Sequence, residues 1–322
     1  MKFTLAELDT AAALIYRTLA PTPQYDWPLL RARTGSDLWV KHENHLPVGA
    51  FKVRGGLTYL AALKQRQPDC QGVISATRGN HGQSIAFAAA RQGIHPVIVV
   101  PQGNSREKNQ AMQALGAELI EYGEDFSDAS DHAAQLAEQR SLHRVPSFHP
   151  DLIKGVASYW LELFRAVPDL HTAYVPIGLG SGLCAGIAAR DALGLNTRLV
   201  GVVSDQAPTY ALSWQAGQII EHPSRTQIGD GIAVRQPDPD ALQMIHQGAE
   251  RIVQVTDDNI MAAMRMYFAA THNVAEGAGA AALAALLQEC EQMQGCKVAV
   301  ILSGGNVDSD VFARVLAAEN TL

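Results

Sequence analysis

The chain alternates short, mostly apolar runs with longer segments in which apolar residues recur every three or four positions. The short runs predict strands at residues 37–41, 73–75, 97–100, 118–121, 145–148, 173–177, 199–203, 252–255 and 298–302. The longer segments predict helices, the first at residues 5–18 and another at residues 52–65. Apolar strands separated by helices of ten or more residues are typical of parallel sheets that are covered on both faces. The pattern therefore predicts an α/β fold with doubly wound, mostly parallel sheets.

Two lobes are expected from the length of the chain and from the places where strand ends meet turn residues. The 322 residues exceed what one ordinary hydrophobic core holds. Turn chemistry follows residue 75 and recurs at residues 149–154. We therefore expect a small lobe at residues 75–149, inserted into a large lobe formed by residues 1–74 and 150–322. The loop at residues 221–239 is long for a compact domain, and such loops are usually functional.

Composition and charge narrow the class of protein. Lys and Arg total 25 and Asp and Glu total 32, which gives a net charge of −7 and disfavours a nucleic-acid or anionic-membrane partner. The four cysteines lack the close spacing of a zinc ribbon or a redox dithiol. No apolar run reaches the roughly 18 residues of a membrane-spanning helix, and no leader pattern opens the chain. These features indicate a cytoplasmic protein.

The segment at residues 49–56 carries the first candidate for chemistry. Lys52 lies between Phe51 and Val53, with glycines close by on both sides. Removal of water from an ammonium group lowers the pKa of the amine, and a neutral amine can attack a carbonyl near neutral pH. We therefore interpret Lys52 as a nucleophile for an aldehyde cofactor. The alternative is that Lys52 and Arg54 are only solvent-exposed side chains at the start of a helix.

A glycine-containing turn follows the predicted strand at residues 73–75. The candidate residues of this turn are Thr77, Arg78, Gly79, Asn80 and His81. Backbone N–H groups at the start of the next helix, together with the Thr77 hydroxyl and the Arg78 guanidinium, suit a small carboxylate. The alternatives are a plain tight turn with a solvated Arg78 and a structural role for His81.

A second turn follows the predicted strand at residues 173–177. It consists of Gly178, Leu179, Gly180, Ser181 and Gly182. Glycines let backbone N–H groups converge on a phosphate, and Ser181 adds a hydroxyl. The same turn also fits a loose dinucleotide-binding pattern, with Asp205 twenty residues beyond Ala185. A phosphate cradle and a nicotinamide site are therefore both open at this point.

A third turn closes the last predicted strand at residues 298–302. Its Ser303 could donate to, or accept from, a ring nitrogen, which would leave a pyridine uncharged and a weaker electron sink. Glu276 with the glycines that follow it, and the segment at residues 229–231, are further places where the backbone could approach a flat ring.

These four motifs, in this order and at these separations, resemble the serine/threonine dehydratase family, a group of pyridoxal-phosphate enzymes of fold type II that includes serine racemase. The resemblance spans nearly the whole chain and implies a two-lobed architecture and a homo-oligomer. It implies that Lys52 carries the cofactor as a Schiff base, that Phe51 packs beside it, and that Ser303 faces the pyridine nitrogen. Asn80 would contact the 3-hydroxyl of the cofactor. Residues 178–182 would hold its phosphate, and residues 77–81 would bind the substrate carboxylate.

The resemblance implies a dehydratase that converts a β-hydroxy-α-amino acid to a 2-oxo acid and ammonia. Serine racemase has a serine base where this chain has Arg78, and a guanidinium that stays protonated disfavours racemisation. Racemase-like members also bind a divalent cation through acidic residues, whereas Val203 and Thr209 stand here, so no such metal is predicted. Arg78 further suggests a substrate with a side-chain carboxylate, such as 3-hydroxyaspartate, beside threonine, serine and phenylserine. An amino-acid racemase, a nicotinamide-dependent oxidoreductase using Asp205, and a binding protein without turnover remain as alternatives.

Overall fold

The computed structural model describes residues 1–318, which form thirteen α-helices and ten strands. The strands are β1 (Gln24–Asp26), β2 (Asp37–His42), β3 (Gly72–Ala76), β4 (His95–Val100), β5 (Glu118–Glu121), β6 (His143–Arg144), β7 (Thr172–Pro176), β8 (Arg198–Ser204), β9 (Arg251–Val255) and β10 (Lys297–Leu302). The helices are α1 (Leu5–Ile15), α2 (Pro28–Thr34), α3 (Lys52–Arg66), α4 (Asn80–Gln92), α5 (Arg106–Ala114), α6 (Phe126–Gln139), α7 (Pro150–Ala166), α8 (Ser181–Ala192), α9 (Thr209–Ala216), α10 (Pro239–Gly248), α11 (Asp257–Thr271), α12 (Gly277–Gln288) and α13 (Ser309–Ala317).

The larger of two sheets has six strands in the order β1, β2, β10, β7, β8, β9. All neighbours in it are parallel except β1, which runs antiparallel to β2 at the edge. One face packs against α7 and α8 through residues such as Trp160 and Leu183, and the other packs against α11 and α12 through Met264 and Leu283. Because β7 and most of β8 are buried on both faces, their sequences are apolar without alternation.

The second sheet has four parallel strands in the order β5, β4, β3, β6. Helices α3 and α4 cover one face through a core that includes Leu60 and Ile85, and α6 covers the other through Ala129 and Ala133. The α/β fold with doubly wound, mostly parallel sheets is therefore confirmed. The division at residues 75 and 149 stays a prediction.

The predicted strand at residues 145–148 is wrong in its position. The chain pairs with β3 only at His143 and Arg144, after which the Val145 N–H still donates to the Ile74 carbonyl at 2.8 Å. Pro146 follows, and because proline has no N–H group, the ladder ends there.

The carboxyl ends of three strands carry the three turns singled out in the sequence. Residue 77 follows β3, residue 178 follows β7 by one residue, and residue 303 follows β10 directly. In open α/β sheets, ligands bind at the carboxyl ends of the strands. The topology therefore puts the candidate residues on the edges where such a fold binds small molecules. Within residues 1–318, no helix has the length and apolar character that crossing a membrane requires.

Candidate active site

Four separate segments of the chain meet around Lys52, the first residue of α3. The Phe51 N–H donates to the Ser303 carbonyl at 3.1 Å, and Ala50 forms an antiparallel bridge with Gly304. The hydroxyl of Ser84 in α4 donates to the Lys52 carbonyl at 2.6 Å. The lysine segment is thus fastened to the turn after β10 and to the helix that follows the turn at residues 77–79.

The Lys52 amine lies in an apolar setting. Its Nζ sits 4.8 Å from the centroid of the Phe51 ring. Burial lowers the pKa of Lys52 to about 8, although the negative charge of Glu276 acts in the opposite direction. A fraction of the amine on the order of one tenth or more is therefore neutral at pH 7 to 8, which is what a nucleophilic lysine needs.

Arg54, two residues after Lys52, lies in the interior of the protein. The alternative of a solvent-exposed side chain is therefore wrong for Arg54. Its side chain is fully buried and donates to both carboxylate oxygens of Glu43, at 2.7 and 2.9 Å. It also donates to both oxygens of Glu162, at 2.6 and 3.0 Å, and Glu162 accepts a further bond from Lys41 at 2.6 Å. Two cations and two carboxylates thus form a buried cluster, called the Arg54 cluster below, under the start of α3.

The turn between β7 and α8 has the form of an anion cradle. Gly180 precedes the helix with φ of 97°, a left-handed conformation that favours glycine. Within the described part of the chain, the backbone N–H groups of residues 178–182 have no hydrogen-bond partner. The carbonyls of this turn are held from behind, since Tyr210 donates to Leu179 at 3.1 Å and Trp160 donates to Gly182 at 2.9 Å.

The cradle lies next to the lysine segment. A β-carbon built on Gly182 would stand 3.8 Å from Cζ of Phe51 and 3.6 Å from the Tyr159 hydroxyl, which are ordinary contact distances. A β-carbon on Gly178 would instead lie 2.5 Å from the Gly231 carbonyl of the long loop. The long loop therefore packs directly on the cradle, and only glycine fits at residue 178 without a shift.

The turn at residues 77–81 is shaped by its own threonine. The Thr77 hydroxyl accepts from the Gly79 N–H at 2.9 Å and from the Gly82 N–H at 3.4 Å. The N–H groups of Arg78, Asn80 and His81 have no partner among residues 1–318. Three free donors at the start of α4 suit a carboxylate. The Arg78 side chain is exposed, and its charge acts on Asp125, which is not one of the candidate residues.

Two polar side chains of the site are free of protein partners. Ser303 is only 4% exposed, yet its hydroxyl makes no hydrogen bond within residues 1–318. The buried Nε2 atom of His81 is likewise without a partner in that range. Burial, with a contribution from Lys52, lowers the pKa of His81 to about 3, so the ring is neutral. Buried polar groups are normally hydrogen-bonded, so a bound molecule is the natural partner for His81 Nε2, and the accessible hydroxyl of Ser303 is open to the same molecule.

The residues present therefore fit pyridoxal phosphate. The amine of Lys52 suits its aldehyde, the cradle at residues 178–182 suits its phosphate, and the free hydroxyl of Ser303 suits its ring nitrogen. This fit rests on the unpaired donors and on the lowered pKa of Lys52.

The sequence did not identify four polar side chains that line the site between the two sheets. Glu276, in front of α12, accepts from Asn80 Nδ2 at 2.6 Å and lies 3.2 Å from Lys108 Nζ. Lys108 also contacts Asp230 of the long loop, and Asn306 donates to Asn80 Oδ1 at 2.9 Å. The segments that contain Glu276 and Asp230 were predicted only as places where the backbone approaches a ring. Lys108 lies 56 residues after Lys52, and no local pattern marks it.

Comparisons with known proteins agree with this geometry. A family model described as "Pyridoxal-phosphate dependent enzyme" matches residues 15–304. The biosynthetic L-threonine dehydratase of Salmonella typhimurium is 32% identical over 92% of this chain, which spans 58% of the length of that protein. The L-threonine ammonia-lyase of Thermotoga maritima is 30% identical over 97% of this chain and 78% of its own. The solved structure of maize serine racemase has a TM-score of 0.90 at 26% identity, covering 98% of this chain and 97% of that one.

Proposed function

Since the chain belongs to the family of pyridoxal-phosphate dependent enzymes, we propose that it is an ammonia-lyase that dehydrates a small β-hydroxy-α-amino acid. The observation that carries the proposal is the Lys52 amine, whose pKa burial lowers to about 8 where four motifs meet. Similarity to threonine dehydratase and threonine ammonia-lyase supports the reaction type.

The proposed roles follow from the free donors of the site. Residues 178–182 hold the phosphate of the cofactor through their N–H groups, and the hydroxyl of Ser303 meets its ring nitrogen. Phe51 packs beside the ring, and Asn80 donates to its 3-hydroxyl. The N–H groups of Arg78, Asn80 and His81 hold the substrate carboxylate, with the Thr77 hydroxyl keeping the turn in shape.

Pyridoxal phosphate, when bound, supplies an aldehyde for an amine and a conjugated ring that draws electrons away from the substrate Cα. Lys52 holds the cofactor and then, as a free amine, takes the proton from Cα. Ser303 would meet the ring nitrogen with a hydroxyl and not a carboxylate, which would leave that nitrogen uncharged and the ring a moderate electron sink, adequate where a β-hydroxyl leaves at once. The Phe51 ring covers one side of the amine, with its centroid 4.8 Å from Nζ.

The first experiment measures 2-oxo acid and ammonia release from threonine and serine. We expect Lys52→Ala to lose turnover by several orders of magnitude, whereas Lys64→Ala, on the same helix, serves as a matched control and keeps it. Mass spectrometry after borohydride reduction should show the cofactor attached to Lys52 in the wild type. Unchanged turnover in Lys52→Ala, or label on another lysine, contradicts the proposal.

The substrate side chain is a finer proposal that rests on Arg78. This guanidinium is exposed, and its charge contributes to lowering the pKa of Asp125, so a side-chain carboxylate such as that of 3-hydroxyaspartate would compete with Asp125 for it. The test compares 3-hydroxyaspartate with threonine, serine and phenylserine for the wild type and Arg78→Ala. A selective loss of kcat/KM for 3-hydroxyaspartate supports the role, and equal losses on all four substrates refute it.

A racemase is the second candidate, because the fold matches that of maize serine racemase. Racemisation needs a proton donor and acceptor on the second face of Cα, and the guanidinium at residue 78 stays protonated. We therefore expect D-serine formation to be far slower than 2-oxo acid release. Chiral chromatography of the same reaction mixtures decides between the two.

A further inference from the structure

A chain of polar side chains runs between the two sheets and ends on the Asn80 amide. Asn306 Nδ2 donates to the Val48 carbonyl at 2.8 Å and to Asn80 Oδ1 at 2.9 Å. Asn80 Nδ2 donates to Glu276 Oε1 at 2.6 Å, and Lys108 Nζ lies 3.2 Å from Glu276 Oε2. Asn80 stands at the start of α4 beside the four-stranded sheet, whereas Glu276 and Asn306 flank the six-stranded sheet.

The acceptors at the two ends of this chain of polar side chains require the same orientation of the Asn80 side chain. A carboxylate and a carbonyl can only accept hydrogen bonds. The Val48 carbonyl therefore fixes the NH₂ group of Asn306 toward Asn80, which in turn must present its oxygen there. At the other end the Glu276 carboxylate demands the NH₂ group of Asn80. A rotation of the Asn80 amide by half a turn would put oxygen against oxygen at Glu276 and NH₂ against NH₂ at Asn306.

Glu276 can act as a pure acceptor because a cation stands behind it. Burial and the negative charge of Asp230 raise the pKa of Glu276 above its ordinary value, and Lys108 and the Asn80 donor oppose this without reversing it. Lys108 is only 5% exposed, and its Cδ packs against Gly79, where a β-carbon would come within 2.4 Å. Although burial works against its charge, the carboxylates of Glu276 and Asp230 hold the pKa of Lys108 above its ordinary value.

We propose that Glu276 and Asn306 are positioning residues for the Asn80 amide, with Lys108 keeping Glu276 an acceptor. One amide hydrogen of Asn80 is taken by Glu276, and the second has no protein acceptor within residues 1–318. The fixed orientation keeps that second hydrogen available as a donor. The inference rests on the proposed function, in which the acceptor is the 3-hydroxyl oxygen of pyridoxal phosphate.

The test is a double-mutant cycle on cofactor binding, which needs no turnover. Pyridoxal phosphate is titrated into apoprotein of the wild type, Asn80→Ala, Glu276→Gln and the double variant. A glutamine at residue 276 can offer either oxygen or NH₂, so it no longer dictates the orientation. Loss of one hydrogen bond to an ionised oxygen weakens binding about tenfold. If Glu276 acts through Asn80, the double variant binds as Asn80→Ala does, within about twofold.

The absorption band of the bound cofactor gives a readout that a purely structural role would not move. Glu276→Gln and Asn80→Ala should shift the pH midpoint of this band in the same direction, because both withdraw a donor from the same oxygen. Glu107→Gln is the matched control. Glu107 of α5 also makes a contact between distant parts of the chain, since it accepts from the Ser309 N–H of α13, and it does not touch Asn80. If Glu276→Gln fails to fold, Asn306→Ala takes its place in the test. It removes the other end of the chain of polar side chains and should give the same shift.

The failures of the two proposals are distinguishable. A wild-type protein that does not bind pyridoxal phosphate refutes the proposed function. A wild type that binds it, with a double variant more than fivefold weaker than Asn80→Ala, overturns the positioning role, since Glu276 then acts independently of Asn80. A shift of the absorption band in Glu107→Gln equal to that in Glu276→Gln also overturns it.

Discussion

Removal of the Arg54 cation tests how strongly the buried cluster under α3 stabilises the protein. Arg54 is fully buried and makes six side-chain hydrogen bonds, to Glu43, Glu162, Ser158 and Thr22. In Arg54→Met, Lys41 still pairs with Glu162, whereas the buried carboxylate of Glu43 keeps the Thr22 hydroxyl as its hydrogen-bond donor and only the shared charge of Lys41 as its cation. Breaking a buried ion pair from one side costs about 3–5 kcal/mol, because the charge left behind is uncompensated.

The loss should appear in the free energy of unfolding measured with urea and followed by circular dichroism. Arg66→Met is the matched control on the same helix: its partner Asp151 lies near the surface, and such pairs contribute about 1 kcal/mol or less. Addition of Glu43→Gln to Arg54→Met should recover part of the loss, since it removes the stranded charge. A loss below about 1 kcal/mol in Arg54→Met, or no recovery in the double variant, would refute the reasoning.

Two further predictions concern the amine and the cradle. Competitive labelling of the apoprotein with an amine reagent should show Lys52 reacting with a midpoint near pH 8, because deprotonation produces the nucleophile; a midpoint above about 10, typical of exposed lysines, contradicts the effect of burial. Gly178→Ala should lower the melting temperature and weaken retention of pyridoxal phosphate, since its β-carbon would meet the Gly231 carbonyl at 2.5 Å. Gly182→Ala makes only ordinary contacts and should be tolerated; equal effects of the two would exclude the steric explanation.

The fold and the family could be predicted from sequence because their signals are local. Strands β7 and β8 and helix α12 could be predicted because each is a continuous apolar run, which is best buried inside a covered sheet or a core helix. The turns after β3, β7 and β10 follow from glycines at strand ends, and the resemblance built on them is confirmed by the family match over residues 15–304. The pyridoxal-phosphate dependence is confirmed with it. The roles of the single residues stay predictions.

The polar side chains that meet between the sheets could not be predicted, because their signals are not local. Lys108 lies in an ordinary charged helix segment, and nothing within five residues indicates that its ammonium is buried against Glu276. The contact between Lys108 and Glu276 depends on how α5 and α12, which belong to the layers around different sheets, face one another. The burial of Arg54 could not be predicted for the same reason, since its acceptors Glu43 and Glu162 are 11 and 108 residues away.

The reactivity of Lys52 is set by burial, and the buried cation of Lys108 offsets part of the negative charge that opposes this effect. The pKa of the amine is low because water is removed, and the carboxylate of Glu276 is the group that works against this. Lys108 lies between the carboxylates of Glu276 and Asp230 and offsets part of their negative charge, whereas Glu276 without Lys108 would favour the ammonium form of Lys52 more strongly. The acceptor needed to orient Asn80 therefore comes with the cation that makes it compatible with a neutral lysine. The two requirements, a fixed amide and a nucleophilic amine, explain why a buried lysine and a buried glutamate stand together in this site.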